Sequence, residues 1–192
     1  MIFIYRFLTF FFYPILIVLI YFRKLLNKED HYRYKEKIFP SNFFPEKDNK
    51  KKLIWFHAAS IGETQSIFPL IKKLNTEIED LEFLVTTTTL SAGNIVAKKL
   101  YNYKNIKHRY FPIDVNFLIK SFLNKWQPNL IIFVDSEIWP NLIFEIKKRK
   151  IPVALINGRI TKKTFNKWML VSTFAKEVFN SFDLCLASSK ES

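Results

Sequence analysis

The pattern of apolar and polar residues changes twice along the chain. Residues 7–22 read FLTFFFYPILIVLIYF, sixteen residues without a charge, with Arg6 before them and Arg23 after them. Charged residues then dominate the segment 23–52. From Leu53 onward, short apolar runs alternate with stretches that carry apolar residues at helical spacing. This succession predicts a hydrophobic N-terminal segment, a polar connection and a folded domain.

The region from Leu53 onward contains six short apolar or β-branched runs, each bounded by polar residues. They cover residues 53–58, 83–89, 108–114, 129–136, 151–157 and 183–189. Helical periodicity lies between these runs, and a long helical stretch is predicted from Thr161 to about Ser181. Strands that alternate with helices form right-handed βαβ units. The predicted fold is therefore α/β, a Rossmann-like parallel sheet with helices on both faces.

The uncharged run of residues 7–22 is typical of a membrane anchor. A helix of this length covers roughly 24 Å of a hydrocarbon core about 30 Å thick, and extension to Met1 completes the span if Arg6 snorkels. Pro14 would kink such a helix without forbidding it. No small-x-small cleavage site follows the run, which favours a retained anchor over a removed signal peptide. A buried core helix is the alternative, and both a spanning and an interfacial arrangement are open.

Positive charge predominates, with 30 Lys and Arg residues against 17 Asp and Glu residues and a net charge of +13. Residues 23–52 alone hold ten basic and five acidic residues. Cationic residues beside a hydrophobic anchor mark the cytoplasmic side of a membrane and attract anionic lipid. A solvated linker is the simpler reading of 23–52. The sequence contains no motif of a nucleic-acid-binding module, so no nucleic acid is expected as a partner.

Cysteine and glycine are both scarce. One Cys excludes a disulfide framework and a Cys-rich zinc module. The three glycines, Gly62, Gly93 and Gly158, each follow a predicted strand, where Gly permits a positive φ or the close approach of a ligand. Neither the dinucleotide-binding fingerprint nor the P-loop motif occurs, which weakens both of those readings.

Charged residues follow three of the predicted strands. Glu63 follows the first, Asp135 and Glu137 follow the fourth, and Arg159 follows the fifth. A carboxylate at a cleft can act as a general base toward a hydroxyl group, and an Arg can bind phosphate or carboxylate with two hydrogen bonds. The alternative for Glu63 and Glu137 is that each only complements the dipole of the helix it precedes.

Two further polar residues are predicted to be structural. Asp114 precedes a helical stretch and is predicted to be its N-cap. His57 lies near the candidate site, but a structural role is favoured for it. The three histidines are scattered along the sequence, and no cluster of metal-ligand residues occurs.

Five blocks of this sequence occur in the order and spacing found in one enzyme family. They are LIWFHAASIGE (53–63), VTTTT (85–89), YFPID (110–114), DSEIWPNL (135–142) and INGRITKKT (156–164). Through these five blocks the chain resembles the 3-deoxy-D-manno-octulosonic acid (Kdo) transferases, which are membrane-associated enzymes of lipopolysaccharide assembly in Gram-negative bacteria. The resemblance extends to ASSKES at residues 187–192.

The resemblance implies a GT-B glycosyltransferase, in which the site lies between two Rossmann-like domains. Residues 1–22 are then the membrane anchor, 23–52 a basic linker and 53–192 the N-terminal, acceptor-side domain. The C-terminal domain, which supplies most donor contacts in the family, is absent from this sequence and is a possible separate partner. The implied donor is CMP-Kdo, the implied acceptor is lipid IVA, and the implied location is the cytoplasmic face of the inner membrane. No metal or other cofactor is implied.

The resemblance also implies roles for single residues. Glu63 matches the family's proposed catalytic base, while Glu137 and Arg159 match polar positions of the acceptor-side cleft. Ser60 and Gly62 are expected to bind substrate through backbone N–H groups at a helix N-terminus, which attract anions. The chain departs from the family at Asp135, where a second Glu is usual, and at Gly158, where Ala is common.

Two classes of function follow from these observations. In the first, the chain is the half of a Kdo transferase that carries the base and binds the acceptor. In the second, it is a non-catalytic, membrane-anchored fragment that binds a lipid A precursor or a partner domain. Replacement of Glu63 distinguishes them, because only an enzyme has turnover to lose.

Overall fold

A computed structural model describes residues 1–42, 51–100, 103–135 and 137–189, and it places six parallel strands in one sheet. The strands are β1 (Lys52–His57), β2 (Leu81–Thr87), β3 (Ile106–Tyr110), β4 (Leu130–Val134), β5 (Val153–Gly158) and β6 (Leu184–Ala187). Their order across the sheet is β3-β2-β1-β4-β5-β6, and every neighbouring pair is parallel. The predicted Rossmann-like α/β fold is confirmed.

Eight α-helices accompany the sheet within the described residues. They are α1 (Ile2–Phe11), α2 (Tyr13–Leu25), α3 (Ile61–Glu77), α4 (Leu90–Leu100), α5 (Asn116–Trp126), α6 (Pro140–Lys148), α7 (Lys162–Met169) and α8 (Ser172–Phe179). Alternate residues of the central strands point to opposite faces of the sheet, so Trp55 and Phe56 enter different cores. One core contains residues of α5, α6 and α8, and the other contains residues of α3 and α4.

The long helical stretch predicted from Thr161 to about Ser181 is helical over most of its length, but it is divided into two helices that meet at Leu170 and Val171. Helix α8 buries Phe174 and Val178 in the core, whereas α7 has no buried residue. No Gly or Pro marks the break. Burial of α8 against the sheet, and not local propensity, therefore sets where the first helix ends.

The predicted N-cap role of Asp114 is also wrong. Val115 is the N-cap of α5, and no side chain caps that helix end. The buried Asp114 carboxylate instead accepts hydrogen bonds from the backbone N–H groups of Asn141 (2.9 Å) and Leu142 (3.0 Å) at the start of α6. Helix α6 has no capping side chain of its own, so a residue 27 positions upstream satisfies its free donors.

The glycines do not supply the left-handed backbone that their positions suggested. All three have negative φ, while Asp135 (φ 62°) and Asn157 (φ 54°) are left-handed at the ends of β4 and β5. Asp and Asn tolerate this region better than other non-glycine residues. Gly93 is required for another reason, because a Cβ there would lie 2.5 Å from the Tyr110 hydroxyl.

Part of the segment 23–52 packs against the sheet. Arg33 bonds both carboxylate oxygens of Glu36 and the backbone oxygen of His108 on edge strand β3. Glu36 in turn accepts the backbone N–H of Tyr110. Buried Lys37 pairs with buried Glu29. Residues 29–38 therefore cover the open edge of β3, which a solvated linker would leave exposed, and linker residues 43–50 lie outside the described residues.

The hydrophobic N-terminus forms two helices that are bent by 54° where they join at Phe12. Pro14 lies in the first turn of α2, where a missing N–H costs nothing, but its ring conflicts with continuation of α1. Within the described residues no helix taken singly is long and apolar enough to cross a membrane. The bent pair meets that test together, by length and composition alone.

Candidate functional site

The candidate site lies where the order of the strands reverses. Strand β1 pairs with β2 on one side and with β4 on the other, so the connections that leave β1 and β4 diverge. In open parallel sheets this reversal leaves a crevice at the carboxyl ends of the two strands, where ligands bind. The loop after β1 carries Ser60, Gly62 and Glu63, and the loop after β4 carries Glu137.

Glu63 is held by hydrogen bonds within its own loop. Ser60 is the N-cap of α3, and its hydroxyl donates to Glu63 Oε1 at 2.6 Å. The backbone N–H of Ala59 donates to Glu63 Oε2 at 2.8 Å. The N–H of Glu63 returns a longer bond of 3.4 Å to Ser60 Oγ. This is a form of capping box, and it fixes the carboxylate at the start of the helix.

The carboxylate of Glu63 keeps capacity for a further partner. A carboxylate has about four lone-pair positions, and these hydrogen bonds occupy one on each oxygen. Glu63 is half-buried, so the remaining positions are accessible from solvent. The neighbouring loop supports this geometry, because the Thr89 hydroxyl donates to the backbone oxygen of Ala59 at 3.2 Å. The geometry is compatible with acceptance of a proton from a bound hydroxyl group.

Gly62 leaves the N-terminal turn of α3 open. An added Cβ at Gly62 would meet no atom within 4 Å, and both Gly62 and Ser60 are exposed. The fold itself therefore does not require Gly at this position. A glycine here allows a ligand to approach the backbone N–H groups of the first helical turn, where anions are stabilised.

Glu137 faces a buried histidine across the crevice. Its Oε2 lies 3.8 Å from His57 Nε2, and the His57 side chain is fully buried whereas that of Glu137 is 31% exposed. Nε2 has no hydrogen-bond partner among the described residues. The His57 ring also lies against Phe111, with centroids 4.3 Å apart. The two loops at the switch point are thus in contact through this pair.

Hydrogen bonds behind His57 determine how its ring is oriented. Thr86 Oγ1 accepts the indole N–H of Trp55 at 2.8 Å and lies 2.9 Å from His57 Nδ1. The threonine proton has one other acceptor, the backbone oxygen of Phe56 at 3.4 Å. These contacts hold the ring with Nδ1 toward Thr86 and Nε2 toward Glu137. A structural role was predicted for His57, but its contact with Glu137 could not be read from sequence.

Arg159 lies one strand further along the same edge. It is exposed, and it lines a groove of about 290 Å³ with Asp135, Thr164, Phe165 and Trp168 among its walls. Within the part of the chain that the structure describes, the guanidinium makes no ion pair with a carboxylate. A free guanidinium beside an apolar groove can bind a phosphate or carboxylate of a ligand.

The structure thus places the five predicted site residues at one edge of the sheet, on the loops after β1, β4 and β5. Glu137 is near His57 and Glu63 is near Ser60, whereas Arg159 lies beyond β4 on the β5 loop. Across residues 1–42, 51–100, 103–135 and 137–189, no three His, Cys, Asp or Glu side chains are grouped so as to hold a metal ion. The chemistry available here is that of carboxylates, a guanidinium and backbone N–H groups.

Curated relatives cover almost the whole of this chain. It is 35% identical over 187 residues to the 3-deoxy-D-manno-octulosonic acid transferase of Rickettsia bellii, which covers 97% of this chain and 43% of that protein. It is 37% identical over 166 residues to the probable mitochondrial 3-deoxy-D-manno-octulosonic acid transferase of Arabidopsis thaliana, which covers 86% and 36%. The chain therefore spans less than half the length of these two relatives.

A solved structure supports the fold independently. The UDP-GlcNAc 2-epimerase of Neisseria meningitidis, bound to UDP-GlcNAc, superposes with a TM-score of 0.50 and covers 72% of this chain and 41% of that one. The two sequences are only 13% identical, so this likeness concerns the fold alone.

The sequence model of one family matches most of the chain. It is described as 3-Deoxy-D-manno-octulosonic-acid transferase (kdotransferase), and the match covers residues 33–192. The match begins at Arg33, the residue that ties the segment 29–38 to β3, so the sequence match and the packed domain begin in the same region. The chain belongs to the 3-deoxy-D-manno-octulosonic-acid transferase family.

Proposed function

We infer that this chain is the acceptor-side half of a Kdo transferase, which moves Kdo from CMP-Kdo to lipid IVA during lipopolysaccharide synthesis. The family assignment supports Kdo transfer, and the geometry of the crevice supports the acceptor side. One observation carries the proposal: the half-buried carboxylate of Glu63 is fixed by Ala59 and Ser60 at the switch point of the sheet.

In the proposed reaction Glu63 is the general base. Its carboxylate takes the proton from a glucosamine hydroxyl of lipid IVA as the oxygen of that hydroxyl attacks the anomeric carbon of Kdo. The bond from the anomeric carbon to the CMP phosphate breaks, CMP leaves with the bonding electrons, and the configuration inverts. Positioned proton transfer of this kind is typically worth a factor of about 10²–10⁴ in rate.

The other site residues hold the reactants. The backbone N–H groups around Ser60 and Gly62 at the start of α3 suit a phosphate of the acceptor. Arg159, exposed at its groove, suits a phosphate or the carboxylate of Kdo. Glu137, backed by His57, suits hydroxyl groups of the acceptor sugar, because a carboxylate accepts hydrogen bonds from them. No metal or other cofactor takes part in this scheme.

The donor requires a second domain. Family members place most CMP-Kdo contacts in a C-terminal domain, which is therefore the partner proposed for this chain. Precise positioning of two reactants is worth about 7–11 kcal/mol of an activation barrier. This chain alone should therefore transfer Kdo poorly, even with Glu63 in place.

The proposed location is the cytoplasmic face of the inner membrane. The acceptor is an acylated lipid, so its sugar lies at a membrane surface. The hydrophobic helices α1 and α2 are followed by a segment rich in Lys and Arg, an order typical of the cytoplasmic side.

Reconstituted transfer tests the proposal. Kdo transfer from CMP-Kdo to lipid IVA is measured in detergent with this chain alone and then with a separately expressed C-terminal domain of a family member. The expected result is transfer only with both parts. Transfer by this chain alone would overturn the two-domain scheme. Absence of transfer in both experiments, with the chain folded and bound to lipid IVA, would favour a non-catalytic fragment that binds the acceptor.

A further inference from the structure

The N-terminal helices have an inverted distribution of polar and apolar residues. Their outward side carries large apolar side chains, of which Phe3, Phe7, Phe10, Phe11, Val18 and Phe22 leave 59–79% of their surface exposed. Arg6 is the one charged residue before Arg23, and it faces the domain. A helix on the surface of a water-soluble domain has the opposite arrangement, with its polar face outward. The outward side therefore suits an apolar environment.

The polar residues of α1 are used to hold it against the domain. The Tyr5 hydroxyl donates to Asp114 Oδ2 at 3.0 Å, and the Arg6 guanidinium bonds Glu145 Oε1 at 3.0 Å. The amide of Asn141 donates to Thr9 Oγ1 at 3.3 Å. We call the three domain residues Asp114, Asn141 and Glu145 the α1 socket. All three are buried, so their contacts with α1 are not incidental surface contacts.

The α1 socket accounts for the YFPID block, which the proposed reaction does not use, and for a second residue of the block that carries Glu137. Asp114 ends the YFPID block, and Asn141 lies in the DSEIWPNL block that also carries Glu137. Asp114 caps α6 and receives Tyr5 with the same carboxylate. The start of α6 is thus joined on one side to the candidate site and on the other to α1.

Helix α2 is also docked along its length. The Tyr13 hydroxyl donates to the backbone oxygen of Ile38 at 2.6 Å, and the Tyr13 ring packs edge-on against Phe117 of α5. Further along, Ile17 and Ile20 pack with Tyr34 and Ile38 in a small hydrophobic cluster. Neither helix is therefore a free tether.

Neither helix alone is long enough to span a bilayer, and their polar contacts argue against a span by the pair. Helix α1 has 10 residues and α2 has 13, so at 1.5 Å per residue they are about 15 and 20 Å long, against a hydrocarbon core of about 30 Å. With its 54° bend the pair taken together still reaches roughly that thickness, so length alone does not decide between the two arrangements. A spanning arrangement would also have to draw Tyr5, Arg6 and Thr9 out of the α1 socket, which would leave buried polar groups without partners.

We propose that α1 and α2 lie in the plane of an anionic bilayer surface, with their outward apolar side in the lipid and the α1 socket holding them to the catalytic domain. The charge of the chain fits this partner. Arg23, Lys24 and Lys28 follow the apolar side directly, and the chain carries a net charge of +13. Interfacial helices of this kind bury their apolar face about 5–10 Å below the headgroups and gain affinity from anionic lipid.

This arrangement would place the candidate site at the membrane surface. A groove of about 420 Å³ runs between the helices and the strand ends, with Leu16 and Ile20 on one wall and Thr89 and Trp139 on the other. Thr89 also bonds Ala59, which holds Glu63. The inference deepens the membrane part of the proposed function, but its test needs no sugar nucleotide, so the two can fail separately.

Depth measurements with spin labels distinguish a planar from a spanning arrangement. The full chain with Cys185→Ser carries one label at a time, through Phe3→Cys, Phe11→Cys or Val18→Cys. It is bound to phosphatidylcholine vesicles that contain about one-third phosphatidylglycerol. All three labels are expected at similar depth, about 5–10 Å below the headgroups. A label at residue 11 near the bilayer centre, roughly 15 Å deep, with residue 3 at the opposite surface would overturn the proposal.

A matched pair of variants tests the outward side itself. Phe7→Glu places a charge on this side, whereas Phe165→Glu makes the same change at an exposed position of α7. Sedimentation with the same vesicles should show binding reduced about tenfold or more by Phe7→Glu and little changed by Phe165→Glu. Equal binding of both variants, or a wild-type chain that forms dimers and stays off the vesicles, would contradict lipid as the partner of this surface.

Discussion

The helix pair α1–α2 and the carboxyl edge of the sheet expose opposite kinds of surface. The helix pair turns Tyr5, Arg6 and Thr9 inward and leaves its phenylalanines outside. The sheet buries its aromatic residues and leaves Ser60, Gly62 and Arg159 exposed at its edge. The comparison separates two uses of polar residues, since those of the helix pair hold structure together and those of the edge are available to a ligand.

The same comparison predicts two kinds of mutational effect. Changes in the α1 socket should lower the free energy of unfolding, because buried polar groups lose their partners. Changes at the exposed edge should leave that free energy nearly unchanged and alter only transfer or binding.

Asp114→Ala should be the most destabilising change in the α1 socket. It removes the acceptor of three hydrogen bonds, from Tyr5, Asn141 and Leu142, and leaves buried donors unsatisfied. The expected loss is about 2–5 kcal/mol in the free energy of unfolding, measured by urea denaturation in detergent. Asp114→Asn, which keeps one acceptor oxygen, should lose less. Equal stability of Asp114→Ala and the wild type would mean that the socket does not hold α1.

Arg6→Leu should have the next largest effect. It leaves the Glu145 carboxylate, 3% exposed, without its cationic partner. We expect a loss of roughly 1–3 kcal/mol, smaller than for a fully buried pair because Arg6 is 28% exposed. Adding Glu145→Leu should restore much of the loss, since an apolar pair needs no partner charge. A freely spanning helix predicts the contrary result, in which Arg6→Leu alone is neutral or favourable.

Protonation of Asp114 should affect stability with a defined sign. Burial raises the pKa of Asp114 to about 6, although the hydrogen bonds from Asn141, Tyr5 and Leu142 oppose this. The native state therefore holds this proton more tightly than the unfolded state. Its contribution to stability is complete below about pH 4 and is lost as the pH rises toward and through 6, by at most about 1.4 kcal/mol per pH unit.

His108 makes the free energy of unfolding depend on pH in the opposite direction, so its effect has to be measured apart from that of Asp114. Burial, with Arg33 and Arg109 nearby, lowers the pKa of His108 to about 3, so its contribution is lost as the pH falls below about 6.5. The difference in unfolding free energy between the wild type and Asp114→Asn, measured from pH 4 to pH 7, isolates the aspartate. This difference should decline over that range, and a difference that stays constant would contradict the raised pKa of Asp114.

Gly62→Ala should have the smallest effect on stability and a clear effect on function. The added methyl group meets no atom within 4 Å, and Ala favours a helix over Gly by about 0.5–1 kcal/mol, so the chain should become slightly more stable. If the acceptor approaches this backbone, its apparent KM in Kdo transfer should nevertheless rise. An unchanged KM would remove Gly62 from the proposed substrate site.

The sequence predicts the sheet well because its signals are local. Each strand is a short apolar run, and each charged site residue lies in the segment that follows a strand. Because the carboxyl ends of parallel strands meet at one edge of the sheet, Glu63, Glu137 and Arg159 are expected at that edge. The same reasoning predicts the edge of the sheet on which these residues lie, but not the side chains that they contact. The capping box of Ser60 and Glu63 has a local signature, whereas the contact between Glu137 and His57 joins residues 80 positions apart.

Prediction from sequence falls short where distant residues decide the outcome. Asp114 has the sequence context of a local N-cap, but it caps a helix that begins 26 residues later. Composition also cannot show that Tyr5 and Arg6 of α1 have buried partners more than 100 positions away. Likewise, no local signal separates α7 from α8, since the burial of Phe174 and Val178 fixes that break.

Replacement of Glu63 by Gln tests the central claim most directly. Gln keeps the size of the side chain and can still form a capping box at this position, so the helix start should be preserved while the base is lost. With the C-terminal domain present, Glu63→Gln should reduce Kdo transfer at least about 10²-fold, with binding of lipid IVA retained and with Glu77→Gln on the same helix fully active. Normal transfer by Glu63→Gln would contradict the assignment of Glu63 as the base.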